Sequence, residues 1–299
     1  MKVFEIETDN IGTIKSIINL LNNSVHEVNA KIYKSTKKTK NGDENTGQIK
    51  IFTTDPNKVM IIHVTLNGSA FNKFIVNPAV YSVGINIDEL SKFIKHVDND
   101  GVMSIHVDSD SMQHIEFEVK SANNSPDSIC QLRVVDVRDE EENILINKDV
   151  SLWVRINCDA FHKACKHLHQ FAQFIEITCD ATQLSITCKG DVSNHKRIFR
   201  DNGNSEHIKI QSVNDNKNTP NIIRHIFDVK YINFMLKAKD LCDDMLIKLS
   251  DDIMCLEYNI KLMGKMVICI APAVKKREHA ENYDETNNDY YKEDEIELI

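Results

Sequence analysis

Apolar residues recur along the chain with two different periods, and each change of period marks a new element. In four places they fall at i, i+3, i+4 and i+7, the spacing that lines one face of a helix. The stripes are Ile14, Ile17, Ile18 and Leu21; Leu90, Phe93, Ile94 and Val97; Phe161, Ala164, Cys165 and Leu168; and Tyr231, Phe234, Met235 and Ala238. Most of the rest alternates apolar with polar positions, the mark of a strand with one buried face. The clearest stretches are 58–66 (KVMIIHVTL), 102–109 (VMSIHVDS), 114–120 (HIEFEVK), 150–157 (VSLWVRIN), 174–180 (FIEITCD), 245–252 (MLIKLSDD) and 265–272 (KMVICIAP). The pattern predicts an α+β fold, mostly antiparallel sheet with four short amphipathic helices.

The elements come round twice. Each half opens with a strand and a helix: KVFEIE before the first stripe, VSLWVRIN before the third. Each later runs into a second helix, VGINIDELSKFIKHV in the first half and IFDVKYINFMLKAK in the second. Such internal similarity predicts two domains of one fold. Between them lies VVDVRDEEENILINKDV, charged except for a short apolar run from Ile144 to Ile146. The expected organisation is a domain at 1–133, a connector at 134–150, a second domain at 151–275 and an acidic tail at 276–299. The tail has no apolar period and reads as disordered.

Charge sharpens the picture. The chain carries a formal net charge of −9, of which −6 belongs to the tail (Lys276, Arg277 and Lys292 against nine carboxylates), leaving −3 for the first 275 residues. At about 100° per residue, the second and fifth positions after the start of each stripe point away from it. They are Lys92 and Lys95 in the second helix and Lys163 and Lys166 in the third. In the first helix they are Ser16 and Asn19, flanked by Lys15; in the fourth, Asn233 and Leu236, flanked by Lys230 and Lys237. None is acidic. A solvated surface on an acidic chain mixes both signs, so a surface of one sign points to a polyanion partner.

Other chemistry is hard to find. There is no G-x-G-x-x-G, P-loop, H-E-x-x-H or G-x-S-x-G, so neither an enzyme nor a cofactor is expected. The eight cysteines are scattered without a C-x-x-C and read as small buried apolar residues of a reducing compartment. Cys158, His162, Cys165 and His169 are zinc-ligand types. However, Cys165 belongs to an apolar stripe and all four come from one segment, so no metal is expected. No window approaches the roughly 18 apolar residues of a membrane helix. The opening MKVFEIETDN lacks an apolar signal core, so secretion is not expected either.

At residue level the second half, with KYINFMLKAKDL (230–241) and MLIKLSDDIMCLEYNIKLMGKMVICIAPAV (245–274), resembles the proliferating cell nuclear antigen (PCNA) family of DNA sliding clamps. So do VFEIETDNIGTIKSIINLL (3–21) and VGINIDELSKFIKHVDNDGVMSIHVD (83–108) in the first half, and the resemblance covers nearly all of 3–275. It implies two domains of one fold, joined head to tail in a homotrimeric ring with the sheets outside. The helices would line a hole for duplex DNA, without sequence readout. The ring would tether DNA polymerase and other replication and repair factors, and a clamp loader would place it. Its location would be the nucleus or the cytoplasmic replication site of a large DNA virus. DNA would meet Lys15, Lys92, Lys95, Lys163, Lys166, Lys230 and Lys237. Partner peptides would dock beneath the connector, on Ile61, Ile144, Ile146, Ile253, Cys269, Ala271 and Pro272. Subunits would join by edge strands near 113–120, presenting Ile115, Phe117 and Val119, and near 206–213, presenting Ile208 and Ile210. The chain departs from the family pattern in longer segments at 33–47 and 193–207 and a longer connector. Two other readings share these charges: a monomeric or dimeric polymerase accessory factor that binds DNA without encircling it, and a protein-interaction scaffold whose lysines only solubilise.

Overall fold

The structure, a computed structural model, describes residues 1–34, 47–122, 126–138, 150–203, 207–212, 222–238, 241–275 and 296–297. The four stripes form helices α1 (Ile11–Leu21), α2 (Ile87–Lys95), α3 (Cys158–Leu168) and α4 (Val229–Met235), the last continued by a 3-10 turn, Leu236–Ala238. Their apolar faces are buried, Phe161, Cys165, Leu168 and Met235 completely. Helices α2 and α3 begin alike. The side chains of Asn86 and Asn157 accept from the backbone N–H of Glu89 and Ala160, satisfying a donor that the first turn leaves unpaired. Asn10, before α1, makes no such bond.

Every strand pairing among the described residues is antiparallel. In the first half, Lys73–Val76, Lys2–Thr8, Gly101–Asp108, His114–Ser121 and Ser128–Arg133 lie side by side in that order. A second set runs Met60–Asn67, Gln48–Thr54, Glu27–Tyr33, Val80–Asn86. The second half repeats both sets in the same chain order. Its first set is Ile208–Ser212, Leu152–Asn157, Asp244–Leu249, Met254–Ile260, Gly264–Ile270; its second is Asn194–Arg200, Gln183–Lys189, Phe174–Cys179, Ile223–Asp228. The duplication visible in the sequence is thus a duplication of topology.

The halves share one sheet. Gly264–Ile270 pairs with Met60–Asn67, from Gly264 opposite Leu66 to Ile270 opposite Met60, which makes nine strands continuous across the chain. Gly264 opens this seam with φ +143°, and a Cβ there would lie 2.0 Å from the Thr65 carbonyl oxygen. The turn leading into Met60–Asn67 is held by buried Asp55. Its carboxylate accepts from the N–H groups of Asn57, Val59 and Met60 at 3.1, 2.7 and 2.6 Å. Tyr231 of α4 donates its hydroxyl to the same carboxylate at 3.4 Å, a second link between the halves.

Two expectations are overturned. His114–Ser121 is no edge: it pairs with Gly101–Asp108 on one side and Ser128–Arg133 on the other. Ile115, Phe117 and Val119 point into the core, 1, 2 and 4% exposed. Ile208–Ser212 does end the nine-stranded sheet, but Ile208 is buried and Ile210 packs against the core. Both sets face the core, because an alternating period marks a core-facing strand whether it is central or at an edge. Ser128–Arg133 ends the five-stranded sheet at the side away from Lys73–Val76, and Asn194–Arg200 ends the four-stranded one at the side away from Ile223–Asp228, so the loop-like segment 193–207 contains an outer strand. The second correction concerns the cysteines. Cys255 and Cys269 face each other on neighbouring strands and form a disulfide rather than two free thiols. The other six form no disulfide and are buried or half-buried.

Replacing Gly264 by alanine meets both a left-handed φ and a backbone oxygen, neither of which can yield cheaply. Gly264→Ala is expected to lower unfolding stability by about 2 kcal/mol or more, read as a shifted urea midpoint. An unchanged midpoint would show that the seam does not need glycine.

Candidate nucleic-acid interface

The helices stand in a row. Helix α2 packs on α1, α1 meets the 3-10 turn after α4, and α3 packs on α4, so the order α2, α1, α4, α3 crosses both halves. With the stripes turned inward, the opposite faces form one surface. Lys92, Lys95, Lys163, Lys166, Lys230 and Lys237 are exposed on it and Lys15 is half-buried.

These lysines are not equally available. Lys92 Nζ lies 2.6 Å from Glu89 Oε1, and Lys163 Nζ lies 2.6 Å from Asp159 Oδ2, each acid one turn earlier on the same helix. The hydrogen bond to Glu89 raises the Lys92 ammonium above its ordinary pKa. Lys230 sits 3.9 Å from Asp228 and 4.7 Å over the ring of Tyr231. Lys15 donates to the Val97 carbonyl, and Lys237 donates to Asn23 Oδ1 in the other half. Lys95 and Lys166 make no ion pair or hydrogen bond among the described residues. The single sign expected of the outermost positions holds there, but acids flank them. Exposed pairs of this kind contribute little to stability, so an incoming anion can replace the carboxylate at small cost.

The opposite side of the nine-stranded sheet gathers a separate apolar cluster. Cys255, Val267 and Cys269 are buried there, with Ile61 and Ile253 packed against them. Ile61, Ile253 and Cys269 were expected in such a pocket; Cys255 and Val267 were not. Alternation was the available signal: their neighbours Leu256 and Ile268 point into the main core, so these must point away. Pro272 is half-buried, and Ala271 packs on the main core while its N–H donates to the Val59 carbonyl at 2.9 Å. Ile144 and Ile146 lie outside the described residues. The connector begins by crossing Val80–Asn86, where the Val135 N–H donates to the Gly84 carbonyl at 3.1 Å. A Cβ on Gly84 would come within 1.9 Å of the Val135 oxygen, so only glycine admits the crossing. Beside it a cavity of 420 Å³ is lined by residues that include Phe52, Thr54, Pro56, Lys58, Val137 and Arg138.

The cysteine and histidine residues of α3 belong to the core instead. Cys158 Sγ lies 3.8 and 3.7 Å from the two ring nitrogens of buried His162, whose Nε2 is 3.3 Å from Tyr258 Oη. A hydrogen bond from Cys158 lowers the Cys242 thiol, whereas burial pushes Cys179 up to about 12 and Cys165 higher still. His169 is exposed, so Cys158, His162, Cys165 and His169 are not gathered around one point. Among the described residues no three His, Cys, Asp or Glu side chains are placed to hold a metal.

Comparison with known proteins agrees with this architecture. The model of the proliferating cell nuclear antigen N-terminal domain matches residues 3–142, and that of the C-terminal domain matches 133–273. A probable DNA polymerase sliding clamp of Acanthamoeba polyphaga mimivirus is 23% identical over 239 residues, 79% of this chain and 49% of its own length. The chain thus spans about half the length of that relative. The crystal structure of proliferating cellular nuclear antigen from Entamoeba histolytica has the same fold, with a TM-score of 0.75 and 18% identity over 91% of this chain and 99% of that one.

The caps that set α2 and α3 in place generate a test by contrast. Asn157→Ala is expected to cost about 1 kcal/mol in urea unfolding, and Asn10→Ala far less, because only the former gives up a cap bond. Equal costs would remove capping as the reason.

Proposed function

Because the chain belongs to the proliferating cell nuclear antigen family, whose two domain models together span residues 3–273, we propose that it is a DNA sliding clamp. It encircles duplex DNA and tethers a DNA polymerase as a processivity factor. The observation that carries the reading is the row of four helices, drawn from both halves, with seven lysines along one face. Contacts to phosphate position a protein without reading bases, which suits a ring that must slide. Duplex DNA presents roughly one charge per 1.7 Å of axis, so an ammonium always has a phosphate within reach. Lys95 and Lys166 supply unengaged charge. Lys92 and Lys163 exchange a carboxylate for a phosphate and back, which keeps the attraction weak and movable.

Ring closure repeats between chains the contact already made within one. In the duplicated plan, Ser128–Arg133 is the counterpart of Gly264–Ile270, and Asn194–Arg200 of Met60–Asn67. Each has one side unpaired among the described residues, and each exposes an isoleucine, Ile129 and Ile198 at 64 and 38%. Joining the first edge of one subunit to the second edge of the next is a head-to-tail contact that closes when the rotation fits, here as a homotrimer. Partner peptides with a hydrophobic and aromatic plug dock on the cluster of Ile61, Ile253 and Cys269, next to Ala271 and Pro272 on the same stretch of chain. A clamp loader opens and places the ring at a nuclear or viral replication site.

Two measurements test this. Lys95→Ala with Lys166→Ala is expected to weaken DNA binding and to flatten the slope of log affinity against log salt by about 0.9 for each phosphate left unneutralised. Glu89→Gln with Asp159→Asn, which frees Lys92 and Lys163, is expected to tighten binding. Unchanged slopes would remove these lysines from the interface. Light scattering on the unmodified protein is expected to give three times the 34.3 kDa chain mass, and Ile129→Asp with Ile198→Asp a folded single chain. A single-chain mass for the unmodified protein with DNA present would favour the accessory factor that does not encircle.

A further inference from the structure

Val274–Lys275 pairs antiparallel with Ile296–Glu297, Val274 opposite Glu297 and Lys275 opposite Ile296. The two strands form a sheet of their own, joined to none of the three larger sheets. Ile296–Glu297 thus meets the end of the second half at one defined place. That place is anchored. Immediately before it, the Ala271 N–H donates to the Val59 carbonyl at 2.9 Å, and the Ala273 N–H donates to the Ile226 carbonyl at 2.8 Å. It also continues directly from Gly264–Ile270, the strand carrying Val267 and Cys269 of the apolar cluster. An extended segment laid along Val274–Lys275 therefore gains backbone pairing and an adjoining apolar surface, the two elements of recognition by strand addition.

We infer that the chain's own C-terminal segment around Ile296–Glu297 is the resident occupant of this edge, and that an incoming partner peptide must displace it. The sequence suits the task. Residues 292–299 read KEDEIELI, with Ile296 and Leu298 at strand spacing among Glu293, Asp294, Glu295 and Glu297. The 420 Å³ cavity near Val59 is lined by Lys58 and Arg138 together with the carboxylates of Glu27 and Asp55, so backbone pairing and not charge selects the occupant. A free peptide gains little from two paired residues and binds weakly, whereas a tethered segment acts at an effective concentration on the order of millimolar. Such an occupant excludes weak ligands and yields to strong ones, lowering a competitor's apparent affinity by about tenfold.

The inference rests on the clamp reading only for the identity of the outside competitor, so the experiment uses two fluorescent peptides on the full chain. One is residues 288–299 of this chain; the other carries a hydrophobic and aromatic plug. Ile296→Pro removes an N–H from the pairing strand and lies in none of the three larger sheets. Expected are a gain of about tenfold or more in affinity for the tail peptide in Ile296→Pro relative to the unchanged chain, and a similar gain for the plug peptide. Equal affinity for the tail peptide in both proteins, or no binding to either, overturns the inference, as does plug binding that ignores Ile296→Pro. A plug peptide that binds neither protein counts against the clamp reading, while the tail peptide still decides the occupancy.

Discussion

Residue pairs from Gly264 opposite Leu66 to Ile270 opposite Met60 turn two repeats into one nine-stranded sheet, and both candidate surfaces follow from that ladder. On one side it brings α1 against the turn after α4, so that helices from two halves make one row and Lys237 reaches Asn23. On the other it sets Ile61 of the first half against Cys255, Val267, Cys269 and Ile253 of the second. A slip of one residue would turn each strand's side chains to the wrong face. Gly264 and the turn held by Asp55 stand at the two ends of the ladder, and both restrict such a slip.

Electrostatics in this chain works by arrangement and not by total. The protein is acidic overall, yet the outward positions of its helix row carry no carboxylate. The acids sit one turn away, where Glu89 and Asp159 hold Lys92 and Lys163 without removing them from solvent. Exposed pairs form and break at little cost. A surface built from them would attract a polyanion without gripping it, and the lysines outside any ion pair among the described residues, Lys15, Lys95, Lys166 and Lys237, would set the baseline of that attraction.

The helices, the duplicated plan and most strands could be read from periodicity because each has one dry and one wet face. The segment 193–207 stood out by its length, but Asn194–Arg200 was not read as a strand because NHKRIFR has no buried side chain, so its charge imitates a loop. Ile115, Phe117 and Val119 misled for the opposite reason: alternation reports burial, and burial is the same in a central strand as at an edge. Pairing of Cys255 with Cys269 depends on the register of two strands across a turn, which spacing alone does not reveal. Glu89 and Asp159 were visible in the sequence, but they flank the outermost helix positions instead of occupying them. In the pocket, Cys269, Ile61 and Ile253 came from family likeness, whereas Cys255 and Val267 needed only the alternation carried to its end.

The seam also imposes an order on the birth of the molecule. Met60–Asn67 leaves the ribosome about 200 residues before the strand that will cover its edge, an interval of roughly 10 to 40 s at usual rates of synthesis. For that time a folded first half displays a long strand with unpaired amides and carbonyls beside Ile61, a template for any other extended chain. A nascent chain that stalls in the second half would keep that edge uncovered, and polysomes would hold several such edges close together. The cell's need for chaperone cover is therefore concentrated in the second half of translation, when nothing of the first half remains to be made.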